Sequence, residues 1–291
     1  MAVYKSKYAK GVAYILISAF CFALMNLFIR KTGSVPTMQK CFFRNFFAMI
    51  IALVSLFNAH LKTKTPIKIG NGNLKYLLAR SLAGGLGMIC NFYAVDNLAI
   101  SDASMLNKLS PFFAIIFSIW VLKEVASLKE WCYVIAAFIG ALFVVKPSFS
   151  AEAIPAFAGV LGGLGAGIAY TFVRKLGMRG ENSMIVVAFF SAFTSLLLTP
   201  NLILNYTVMS LSQWGWLILT GLAAAGGQIC ITKAYSYAPA KEISVYDFSI
   251  VLFTAILGFL FLDQIPDYLS FIGYVIIIGT AILKYINSKQ E

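Results

Sequence analysis

Asn107-Lys108 and Tyr246-Asp247 each stand well inside an apolar run of the sequence. An ionised side chain at the centre of a bilayer costs about 2.5–3.5 kcal/mol on insertion scales, so each charge asks for a reason. Ser104, Lys108 and Pro111 follow an i, i+4, i+7 spacing and share one helix face, while Ser244, Asp247 and Thr254 share another. A carboxyl kept from water could carry a coupling proton, and a lysine beside it could hold a substrate carboxylate. A static ion pair, or a Lys108 that snorkels toward the headgroups, would use the same residues without function.

Further polar residues fall on faces that could complete a binding ring. Arg80, Gly84, Gly87 and Asn91 occupy one side of a third apolar segment, with Tyr93 beside them. Gly221, Ala224, Gln228 and Tyr235 form a stripe in an eighth, and Asn26 and Tyr170 extend the ring from the first and sixth. An interhelical hydrogen bond is the plainer use of any one of them. Arg80 lies near enough to a helix end to snorkel. Gly159, Gly163 and Gly167 recur at every fourth position, a spacing for close helix contact; it suits packing within the chain first, and leaves room for a moving interface or a homodimer.

Other chemistries lack their residues. The five cysteines lie in apolar segments with no CxxC pair, and the single histidine, His60, stands at a helix end, so neither zinc nor iron is expected. The sequence holds no P-loop, no G-x-S-x-G elbow and no Ser-His-Asp set. No cofactor and no catalytic residue are expected.

The elements that must position these side chains are membrane helices. Of 291 residues 60% are hydrophobic and 12% charged, against about 25% charged in a soluble domain. The net charge of +12 falls in short clusters between apolar runs, which speaks against a nucleic-acid surface. Spans of about 20 residues are predicted over 11–30, 37–58, 74–96, 101–122, 130–146, 155–175, 183–203, 213–235, 241–262 and 268–286. The first apolar run reaches Phe28, too long for a signal-peptide core. With the N-terminus in the cytoplasm, sixteen Lys and Arg face inward and four outward, the distribution that the positive-inside rule favours. Both termini are then cytoplasmic, in a multi-pass protein of the plasma or inner membrane.

The chain also echoes itself. Phe28-Ile29-Arg30-Lys31 returns as Phe172-Val173-Arg174-Lys175, and a shift of 140 pairs Gly87 with Gly227, Ile89-Cys90 with Ile229-Cys230, Ser104 with Ser244, Asn107 with Asp247 and Leu122 with Leu262. Two units, 1–150 and 151–291, follow. Five spans per unit is odd, so the second inserts upside down, and inverted repeats place a substrate site near the midplane between them.

These residues resemble the drug/metabolite transporter superfamily, in particular its ten-helix EamA-domain members. The resemblance rests on Arg44, on Asn91-Phe92-Tyr93-Ala94 through Ala103-Ser104 to Leu109-Ser110-Pro111, on Leu122-Lys123-Glu124 and Gly140, and on their echoes Ala234-Tyr235, Ser244, Leu262-Asp263 and Gly279. The second half departs from the pattern with Val251 in place of Pro111 and Asp263 in place of the usual Glu. The resemblance implies an all-α membrane protein of two inverted five-helix repeats around a central cavity. It implies secondary transport rather than enzymology, and gives Arg44 a structural role.

The expected function is alternating-access transport of a small organic metabolite, with an amino acid or related zwitterion suited to a site offering both charges. The expected ligands are Asn26, Asn91, Tyr93, Asn107, Lys108, Tyr170, Gln228, Tyr246 and Asp247, with Asp247 also the candidate for ion coupling; Arg44, Pro111, Gly163 and Gly167 are expected to be structural. The expected partners are the solute and membrane lipids. A multidrug exporter of lipophilic cations is the rival within transport, and a membrane-embedded enzyme or a non-transporting scaffold the rival outside it.

Overall fold

The computed structural model of the protein describes residues 2–64, 67–98, 100–146, 153–263 and 265–290. Within a bilayer each backbone N–H and C=O must find its partner inside the segment, which leaves the helix as the element open to these apolar runs. The chain forms α1 (Ala2–Lys31), α2 (Thr37–Thr63), α3 (Leu74–Asn97), α4 (Ile100–Asn107), α5 (Ser110–Leu122), α6 (Leu128–Val145), α7 (Ala153–Met178), α8 (Ser183–Leu204), α9 (Leu211–Tyr237), the single turn α10 (Ala240–Ile243), a 3₁₀ segment Ser244–Phe248, α11 (Ser249–Leu262) and α12 (Tyr268–Gln290). Among the described residues nine helical stretches are long and apolar enough to span. The tenth span is α3, whose Lys75 and Arg80 dilute its apolar character. Leu53, Phe57, Leu196, Ile203 and Val275 present apolar side chains outward, as a lipid-facing surface requires.

Two spans expected as continuous helices are broken. Residues 101–122 divide into α4 and α5 around Lys108-Leu109, and residues 241–262 divide into α10, the 3₁₀ segment and α11. In the first half the cause is local. Pro111 stands in the first turn of α5, where its fixed φ suits a helix start and its missing N–H leaves the Asn107 carbonyl without its i+4 donor. The second half has Val251 there, and its break comes instead from the tighter 3₁₀ winding ahead of Ser249. Pro200 lies inside α8 near its end, as the expected span allows. The expected boundary at 150/151 lies outside the described residues.

The helix contacts repeat across the two halves. α3 packs on α7 as α1 packs on α9, and α5 packs on α7 as α11 packs on α1; α2 with α8 and α6 with α12 pair as their own counterparts. This is the ten-helix inverted repeat. One pair breaks the symmetry, because α7 packs on α9 whereas α1 and α3 make no comparable contact.

Both chain ends lie on one face, hereafter the terminal face, where Tyr8 stacks on Tyr285 with ring centroids 6.1 Å apart. The largest core cluster includes Ile15, Leu176, Ile231, Tyr235, Ile243 and Phe248 and gathers toward this face. Smaller clusters, around Val35, Phe43, Met209 and Leu217 and around Ala23, Leu27 and Leu257, serve the opposite one.

Candidate functional site

The two helix breaks meet. Lys108 Nζ lies 3.7 Å from Asp247 Oδ2, an ion pair that the sequence left open because the inverted arrangement sets the two residues at different depths. Both side chains are largely but not wholly buried, at 16% and 11% exposure. The close approach of α7 seats the first break. A Cβ on Gly163 would fall 2.8 Å from the Leu106 carbonyl oxygen, one on Gly167 2.5 Å from the Phe113 Cβ, and one on Gly159 2.6 Å from Leu106. The glycine row is thus spent on contact within the chain.

Tyr170 of α7 joins the pair to the rest of the site. Its ring stacks on Tyr235 with centroids 4.9 Å apart and planes 12° from parallel, and it lies within electrostatic range of Asp247, Arg80 and Arg44. Tyr235 is fully buried, with its hydroxyl 3.5 Å from that of Ser244.

Arg80 does not snorkel. It is 2% exposed, donates from Nη2 to Gln228 Oε1 at 3.1 Å, and lays its guanidinium carbon 3.5 Å from the centroid of the Phe190 ring. Gly84 leaves the room, since a Cβ there would stand 2.8 Å from Arg80 Nη1. A hydrogen bond and an aromatic face hold the cation inside, where a helix-end position alone suggested escape to the headgroups. Arg44 is buried too and donates to two thioethers, from Nε to Met25 Sδ at 3.0 Å and from Nη1 to Met88 Sδ at 3.3 Å. It therefore bridges α1 and α3.

The other expected ligands divide. Asn91 lies under the α7 contact, with Gly162 against its Cα and Cβ and its Oδ1 buried without a hydrogen-bond partner. Asn107 is half-buried at the end of α4, and Asn26 is exposed on α1 next to Met25. Tyr93 and Tyr246 are not gathered in. Tyr93 is 43% exposed beyond Asn91 on α3. Tyr246 turns away to the terminal face, where its hydroxyl lies 2.7 Å from that of Tyr8. Residue identity could not reveal this, because neighbouring helical residues point about 100° apart and a small error in rotation sends a side chain out of the site.

The terminal side of the site is closed by contacts unforeseen in the sequence. Arg174 Nε donates to Glu124 Oε1 at 3.1 Å, and its Nη1 donates to the carbonyls of Tyr235 at 3.4 Å and Ser236 at 3.1 Å. Lys241 Nζ donates to the Val125 carbonyl at 2.7 Å. The only advance signal was that Arg174 belongs to a repeated Phe-x-Arg-Lys segment.

Comparisons with known proteins bear on the family and the fold. The EamA-like transporter family matches residues 9–146 and again 153–286. The sequence is 30% identical over 275 residues to the pseudopaline exporter CntI of Pseudomonas aeruginosa, covering 94% of each chain. It is 26% identical over 307 residues to human solute carrier family 35 member G1, covering 96% of this chain and 81% of the other. The S-adenosylmethionine uptake transporter of Rickettsia prowazekii is 22% identical over 295 residues, covering 98% and 95%. A crystal structure at 14% identity superposes with a TM-score of 0.82 over 98% of this chain and 99% of its own, a likeness in fold alone.

Proposed function

Because the chain belongs to the EamA-like transporter family, and is a membrane transporter rather than an enzyme, we propose that it carries an amino acid or related zwitterion through the site at its two helix breaks. The observation that carries this reading is the Lys108–Asp247 pair at those breaks. Paired interruptions in corresponding spans of an inverted repeat mark midplane binding sites, since unwound backbone there is tolerated only beside protein or a cavity. Lys108 would receive the substrate carboxylate and Asp247 its ammonium, each releasing the other. Asp247 is also the group to carry a coupling proton. The units 1–150 and 151–291 would rock about the site, with the terminal face in the cytoplasm because most Lys and Arg lie on that side.

The test is counterflow of labelled glutamine and glutamate in proteoliposomes, with Lys108→Ala and Asp247→Asn beside the wild type. Each buried charge-assisted contact is worth about 1.5–3 kcal/mol, so a loss of about tenfold or more is expected in each variant. Undiminished exchange in both variants, at normal folded yield, would remove the pair from the mechanism.

A further inference from the structure

Around the helix breaks, among the described residues, Arg44, Arg80 and Lys108 stand with a single carboxylate, Asp247. Tyr170 lies within electrostatic range of Arg44, Arg80 and Asp247, and Asp247 is paired with Lys108. The two guanidiniums meet no carboxylate within ion-pair distance among the described residues. Each carries five N–H donors and stays charged at any physiological pH. Arg44 spends its described bonds on two thioether sulfurs, which are weak acceptors on flexible side chains. Arg80 spends one on Gln228 and lays its face on Phe190, and its Nε–H is buried without a partner. A buried charge without a counter-charge is strongly unfavourable, and a cation left so in two places calls for an anion that comes and goes.

Resting on the transport reading above, we infer that the cargo is an amino-acid-like molecule bearing more than one carboxylate, with Arg44 and Arg80 receiving the carboxylates beyond the zwitterion. A plain zwitterion would leave the surplus of two positive charges in place. A lipophilic cation would raise it to three. A carboxylate matches the planar fork of a guanidinium in a bidentate way that sulfur cannot, so it would displace Met25 and Met88 from Arg44.

The experiment compares L-glutamine, L-glutamate and L-γ-carboxyglutamate, three side chains of similar reach with no, one and two added carboxylates. Binding is read by thermal stabilisation of purified protein, since a ligand of the native state raises its melting temperature in proportion to the logarithm of its excess over Kd. Each added carboxylate is expected to tighten binding about tenfold. Arg80→Gln and Arg44→Gln should each erase one such step, while Arg80→Lys keeps the charge and loses only the fork, retaining part of it. Equal binding of all three, tightest binding of glutamine, binding of none, or steps that survive in both glutamine variants would overturn the inference. The wild-type series decides even where a variant fails to fold. Counterflow of the same compounds separates the two readings. Glutamine exchanged as fast as glutamate, or tetraphenylphosphonium exchanged in place of both, sinks the polycarboxylate and keeps the transporter. No exchange of any of them removes the amino-acid reading on which this inference rests.

Discussion

The same six-residue pattern occurs twice, and its two copies stand in opposite conditions. Phe172-Val173-Arg174-Lys175-Leu176-Gly177 ends α7 at the terminal face, locked through Arg174 to Glu124 and to two carbonyls of α9. A Cβ on its Gly177 would fall 2.4 Å from Ser236 Oγ and 2.6 Å from Ser236 Cα. Phe28-Ile29-Arg30-Lys31-Thr32-Gly33 ends α1 at the opposite face. There Arg30 is exposed, with no ion pair to a described residue, and Lys31 reaches only the Phe261 carbonyl at 3.2 Å. Gly33 has nothing within 4 Å of a built Cβ. Like sequences on inverted frames have taken different surroundings, the first copy being held instead through its Thr32 carbonyl, which accepts from Gln213 Nε2 at 3.1 Å. On the transport reading proposed above, an exchange of the two arrangements would move access to the site from one face to the other.

The largest effect should come from filling the locked copy. Gly177→Ala puts a methyl into α9, and overpacking of this kind costs about 1–3 kcal/mol, enough to shift a two-state balance about tenfold or more. Thr232, one turn deeper in α9, is 1% exposed. Maleimide labelling of Thr232→Cys, in a background without the native cysteines, should quicken by about that factor when Gly177→Ala is added. Gly33→Ala should leave the labelling alone, its cost confined to a positive φ of +64°, about 1 kcal/mol of stability. Equal quickening by both would dissolve the contrast between the ends.

A smaller effect is expected from charge. Glu124→Gln keeps the shape of the side chain and removes the anion beneath Arg174, at a pair 14% and 16% exposed. Such a pair is worth about 1 kcal/mol after allowance for solvent, so labelling should rise only about fivefold. Arg30→Gln should leave labelling unchanged and slow counterflow, because its partners would be met only when the opposite face closes. A normal counterflow rate in Arg30→Gln would restrict the lock to the terminal face.

How much of this could be read in advance depends on how local each cause is. The spans, the repeat and the matching of Asn107-Lys108 with Asp247 were legible, since charges and glycines interrupt apolar runs at a near-constant shift. Pro111 carries a local cause for a break in a span read as continuous, whereas the break before Ser249 has no proline, and its Tyr246 meets Tyr8, 238 residues away. Arg80 was misjudged for the same reason, because what keeps it inside is Gln228 from a different span. Asp263 also changes its counterpart. It holds a left-handed cap at φ 53° as Lys123 does at φ 59°, so it matches Lys123 rather than Glu124.

The smallest effect should appear where the two halves do not exchange arrangements. α6 and α12 are their own counterparts, joined by Glu130–Lys284 at 3.6 Å on the terminal face and by Lys146–Asp267 on the other. A hydrogen bond from Lys146, helped by the Ser270 N–H and hydroxyl, holds the Asp267 carboxyl down from an ordinary 3.8 to about 2. A carboxylate depressed in the folded state adds stability that is complete above its unfolded value and fades as pH falls from about 4 to about 2. The group is fully exposed, so the gain is slight and shrinks with salt. Melting temperature in low salt should therefore fall a little more steeply over that window in the wild type than in Asp267→Asn, and the two slopes should converge in high salt. Counterflow at pH 7 should be the same for both, since a pair pinned at each end can stay still while α1 and α7 trade places. Slowed exchange in Asp267→Asn would place α6 and α12 among the moving parts and widen the gate beyond the two repeated segments.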